Sequence, residues 1–257
     1  MKKQLVMASL VSAAAVTLFA TTANAEDPVN TNSDKVQQTD VGIEFKTDKG
    51  TLPGTGPYKD NLAIVWKPGS FNFGTQEALG SIKTYSNTVT KPQYIVVNDD
   101  RPDASAIDKT RSAWELKAQL SQLKTSEAAD PALEATLTYT LGDAQAYNIG
   151  DKIVNDDYVP LDPEDPNSGA FTGKPALTAT DNITLGDTAA MTKTTMSLKA
   201  GDATGSKVMS KTQKNAFRGG VASLITDTKL VVPDGSKAAG KSYSGKVTWT
   251  LSDTLSN

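Results

Sequence analysis

Tyr243-Ser244-Gly245-Lys246-Val247-Thr248-Trp249-Thr250-Leu251-Ser252-Asp253 is the stretch whose reading decides the fold. Side chains alternate between the two faces of a strand, so Tyr243, Val247, Trp249 and Leu251 share one side while Lys246, Thr248 and Thr250 share the other. That is a strand with one buried face. Leu137, Tyr139 and Leu141 against Thr136, Thr138 and Thr140 repeat the pattern, and threonine-rich outer faces suit β structure. Working outward, short apolar or alternating runs recur at Ala63 to Trp66, Tyr94 to Val97, Met196 to Ala200 and Lys229 to Val232, separated by Gly, Pro, Asn and Asp clusters. Such spacing predicts an all-β protein, a sandwich or barrel.

Two segments read less simply. From Ala113 to Lys124, Trp114, Leu116, Ala118 and Leu120 alternate as in a strand, but Ala113, Leu116, Leu120 and Leu123 also fit a helical stripe. Leu161 to Gly169, rich in Pro and Asp, cannot join a regular sheet and is expected to be a long acidic surface loop. Its carboxylates lack the D-x-D-x-D-G spacing of a preorganised calcium site, so a solvated loop is the expectation.

The beginning of the chain predicts its destination. Lys2 and Lys3, an apolar run from Leu5 to Ala20 and an Ala23-Asn24-Ala25 cleavage site have the form of a secretory signal peptide over residues 1–25. Residues 26–40 are polar and without periodicity, and read as a flexible leader. One domain over 41–257 follows, with no transmembrane segment expected in the mature chain. The C-terminal Asp253-Thr254-Leu255-Ser256-Asn257 has no sorting motif, apolar stretch or basic tail, so retention at a surface is expected to rest on the folded domain without a covalent anchor.

Composition excludes much chemistry. The 257 residues contain no Cys and no His, which removes disulfides, thiol nucleophiles, Ser-His-Asp triads and His-ligated zinc. The formal net charge of −3 becomes more negative once Lys2 and Lys3 are lost, so no general attraction for nucleic acid is expected. No carboxylate pair stands out on a rigid element, and neither catalysis nor a cofactor is expected.

Two Trp-x-Leu triplets remain, Trp114-Glu115-Leu116 and Trp249-Thr250-Leu251, each presenting a Trp and a Leu on one strand face. Preceded by Gly69-Ser70-Phe71-Asn72-Phe73-Gly74-Thr75-Gln76 and then Val97-Asn98-Asp99-Asp100-Arg101, four segments within residues 52–253, they resemble the signature of the WxL-domain cell-wall proteins of Gram-positive bacteria. One departure is the tail: members commonly carry a proline soon after the Asp, where this chain has Thr254-Leu255-Ser256-Asn257. The resemblance implies a secreted β-rich domain at the cell surface that attaches non-covalently to peptidoglycan, often beside co-encoded WxL-interacting surface proteins. It also implies a strand for Ala113 to Leu120.

The one-sided alternation around Trp249 and Leu251 predicts core positions. Trp114, among the charged Arg111, Glu115 and Lys117 and followed by Leu116, is expected to be the better candidate for wall contact, since an exposed indole face packs on the C–H groups of sugars. Asp253, Asp99, Asp100 and Arg101 are candidate partners for sugar hydroxyls or stem-peptide groups, with turn capping and salt pairing as their competing role. A surface adhesin or assembly subunit, whose main contact is a partner protein or host matrix, is the alternative function.

Overall fold

The computed structural model describes residues 36–42, 58, 61–101, 111–154 and 157–255. The expected signal peptide and the leader up to residue 35 lie outside the described residues. Two β-sheets face each other across one main core. The first has the strand order β11 (Ile183–Leu185), β13 (Ser206–Lys211), β6 (Trp114–Leu120), β15 (Ser244–Ser252), β1 (Val36–Gly42) and β3 (Ser70–Asn72). The second runs β12 (Thr194–Lys199), β7 (Thr136–Leu141), β14 (Gly219–Val232), β5 (Gln93–Asp99) and β2 (Leu62–Trp66), with β4 (Lys83–Ser86) and β8 (Gln145–Tyr147) also paired to β14. A short ribbon pairs β9 (Ile153–Val154) with β10 (Asp157–Tyr158), and among the described residues every strand pairing is antiparallel except that of β1 with β3. The protein is an all-β sandwich.

Inner faces meet where the alternation puts them. Val247, Trp249 and Leu251 of β15 and Leu116, Ala118 and Leu120 of β6 oppose Leu137, Tyr139 and Leu141 of β7 and Ile95 and Val97 of β5, all in the main core. The ring centroid of Tyr139 lies 6.4 Å from that of Trp249 and 6.3 Å from that of Phe71. Such spacing suits attractive aromatic packing. The 113–124 ambiguity resolves as a strand because β6 is hydrogen-bonded on both edges, to β13 and to β15.

Gly245 interrupts the apolar parity of β15 for a steric reason. A Cβ there would lie 2.6 Å from Cδ2 of Leu123 and 2.9 Å from Oγ of Ser121, so a side chain fits only if the buried Leu123 gives way together with Ser121, whose Oγ accepts from the Lys246 amide. Gly245→Ala is therefore expected to destabilise the fold by about 1–3 kcal/mol through overpacking. Urea unfolding of the variant checks this, and an unchanged midpoint would contradict the steric account.

Three expectations change. Val36 to Asp40, expected at the end of a flexible leader, form β1, paired to β15 on one edge and to β3 on the other. A strand paired on both edges is held through its backbone groups, which polar residues supply as well as apolar ones, so hydrophobic periodicity did not reveal it. The 161–169 segment is a surface loop, but Pro163 is buried and the loop helps to cover a second, smaller core on the outer face of the second sheet. There Ala63, Val65, Trp66, Val96, Tyr147 and Ala222 pack together, Trp66 Nε1 donates to Glu164 Oε1 at 3.2 Å, and Tyr147 Oη donates to the Leu161 carbonyl at 2.6 Å. The loop's aspartates fold it: Asp162 accepts from the Glu164 amide and Asp165 from the Asn167 amide. Among the described residues no group of three carboxylates stands close enough together to hold a metal ion. The third change concerns Trp114.

Candidate functional site

The two Trp-x-Leu triplets lie on neighbouring strands. Leu116 pairs directly with Leu251, and Trp249 with Ala118, so all of these side chains point into the sandwich. Trp249 and Leu251 are core, as their alternation predicts. Trp114 is core as well, at 0% exposure, which overturns its expected role as an exposed platform for sugars. Its charged neighbours mislead because two of them, Arg111 and Glu115, are buried too. Arg111 donates through Nη1 to the Ala216 carbonyl and through Nε to the Arg101 carbonyl, and Glu115 lies 3.4 Å from the Lys117 ammonium. Trp114 Nε1 is enclosed without a hydrogen-bond partner among the described residues. The triplets are packing devices that lock β6 to β15.

The remaining candidates gather at the same end of the sandwich. Asp99, the last residue of β5, is fully buried, where Arg101 holds it with Nε 2.7 Å from Oδ1 and Nη2 2.9 Å from Oδ2. Lys211, equally buried, places Nζ 2.9 Å from the same Oδ2. Lys211 was invisible in the sequence as a site residue. It ends β13 opposite Trp114, so its side chain enters the interior and crosses to the other sheet. Burial pushes the Lys211 ammonium below its ordinary pKa, while the Asp99 carboxylate pulls it back. Asp100 pairs with Arg218 at the surface. The register of β6 with β15, continued by one residue past Ser252, sets the exposed Asp253 opposite Trp114. Salt pairing thus accounts for Asp99, Asp100 and Arg101, and of the named residues Asp253 is the most open to solvent.

The opposite end holds a groove of about 390 Å³. Phe71 and Phe73 are buried anchors. Gly74, at φ 67, then turns the chain outward so that Thr75, Gln76 and Glu77 form one wall. Gly240 to Ser242 form the other, and Val232, Leu133 and Tyr243 the apolar floor. Tyr85 of β4 lines the groove with its ring against the main core, and its hydroxyl donates to the Glu77 carbonyl at 3.2 Å. The Lys241 ammonium is held by Asp130 at 2.7 Å, an ion pair that raises the lysine pKa and lowers that of the carboxyl.

The sandwich is thus joined through its paired Trp-x-Leu strands, with a charged Asp-Arg corner at one end. The family described as WxL domain surface cell wall-binding matches residues 7–254, nearly the whole sequence. The chain belongs to that family, a family of cell-wall-binding domains at the bacterial surface. A search of curated proteins finds no match.

Proposed function

We propose that the protein is secreted and binds the peptidoglycan of a Gram-positive cell wall without a covalent link. The observation that carries this reading is the extent of the family match, which leaves the wall-binding domain as almost the entire chain. Secretion rests on Lys2-Lys3, the apolar run to Ala20 and Ala23-Asn24-Ala25. No helix among the described residues is long and apolar enough to cross a membrane. Attachment through a folded surface makes every contact reversible, and a net acidic domain gains nothing from general attraction to anionic wall polymers, so recognition is local.

The purified protein is expected to co-sediment with sacculi stripped of protein and of covalently linked anionic polymers. From intact cells it is expected to be released by a chaotrope without any wall hydrolase. Failure to sediment would remove peptidoglycan as the ligand and leave a partner surface protein or host matrix as the contact. Release only after glycan digestion would remove non-covalent attachment.

A further inference from the structure

We infer that the groove between Gly74–Ala78 and Gly240–Tyr243 is the ligand-binding site of the domain, and that it takes a neutral N-acetylated amino-sugar chain. This rests on the peptidoglycan reading above and locates it at the end of the sandwich away from the Trp-x-Leu corner.

The volume of about 390 Å³ falls within the range of about 300–1,000 Å³ common for small-ligand sites. Its lining joins what a sugar needs. Tyr85 supplies an aromatic face, and the ring is fixed beforehand, because it packs on the core on one side and its hydroxyl is tied to the Glu77 carbonyl. Polar residues line both walls: Thr75, Glu77 and Gln76, whose amide nitrogen donates to the Phe73 carbonyl, on one, and Ser242 on the other. Leu133, Val232 and Tyr243 give an apolar floor for acetyl methyl groups and ring C–H faces.

Charge selects among wall components. Among the described residues that line the groove the lysine is Lys241, which is paired with Asp130, so its positive charge is locally cancelled, and the Glu77 carboxylate leaves these walls slightly acidic. Such a surface disfavours the carboxylates of stem peptides and the phosphates of anionic polymers. It suits a neutral chain whose hydroxyl and amide N–H groups donate to a carboxylate.

Isothermal titration of the mature protein with a soluble β-1,4-linked N-acetylglucosamine hexamer, alongside sedimentation with sacculi, tests the assignment. The hexamer is expected to bind. Tyr85→Ala is expected to weaken both interactions about 10-fold or more, as loss of an aromatic stacking platform does, whereas Tyr85→Phe is expected to stay within about 2-fold because it keeps the ring. Ser242→Trp, which fills the groove from an exposed position, is expected to block binding without lowering Tm. The inference fails if Tyr85→Ala and Ser242→Trp bind sacculi like the wild type, or if only stem peptides are bound. If the wild type binds sacculi but not the hexamer, the groove assignment falls and the peptidoglycan reading stands. If it binds the hexamer but not sacculi, the reverse holds.

Discussion

Replacing Trp249 by alanine is expected to cost about 3–5 kcal/mol of folding stability, the range for deleting a fully buried large aromatic side chain. Trp249 is completely enclosed, stands beside the Tyr139 ring at 6.4 Å, and belongs to a strand flanked by two others. Domains of this kind are held by about 5–15 kcal/mol in all, and here no disulfide adds to that. The loss therefore takes a large part of the total. Wall binding is expected to disappear with the fold, since no surface contact of Trp249 is removed. Urea unfolding followed by tryptophan fluorescence measures the change, and a stable Trp249→Ala protein that no longer binds sacculi would refute the structural role. Trp114→Ala is expected to behave likewise, because burial leaves its indole no access to a ligand.

Asp99→Ala is expected to be of comparable size, about 3–5 kcal/mol, for an electrostatic reason. Removing the carboxylate leaves the Lys211 ammonium fully buried with its ion-pair partner gone, and takes two contacts from the Arg101 guanidinium, which keeps its bond to the Ser112 carbonyl. The decisive comparison adds Lys211→Met. If the penalty comes from a stranded charge, the double variant recovers much of the stability lost by Asp99→Ala alone, because methionine fills similar volume without a charge to desolvate. Equal stability of single and double variants would show that the Asp99 contacts, not the orphaned lysine, were responsible.

The strands most legible in the sequence were those with one face on the core and one toward solvent. In β15, and in β7 apart from the buried Thr140, the buried side chains follow the period of two, and the alternation of β15 assigns Trp249 to the core. Strands covered on both faces, or bulged, gave weaker signals. β2 is buried at all five positions because Leu62 and Ile64 enter the main core while Ala63, Val65 and Trp66 enter the second. In β13 the register shifts between Lys207 and Met209, so adjacent Val208 and Met209 are both buried and alternation is lost. Trp114 runs against its sequence context, because charged neighbours point to solvent whereas Arg111 and Glu115 are themselves enclosed. The Asp99–Lys211 pair joins residues 112 apart in sequence, and no local pattern announces such a partner. The groove is hidden for the same reason: its walls come from segments near residues 74–85 and 232–243 that only the fold brings together.

The position of β15 between β1 and β6 has a consequence in time. Val247 pairs with Leu120 and Thr39 with Val247, so the middle of the first sheet is closed by the last strand to be synthesised among those described. At about 5–20 residues per second, the ribosome takes on the order of ten seconds to pass from β6 to β15. Throughout that interval β6 has no partner on that edge, and Leu116 and Leu120 have no finished interior to enter. Folding is consequently post-translational and governed by long-range pairing, which places the chain among slow folders. A nascent polypeptide that cannot close its own sheet completes its structure only after the final strand has been made.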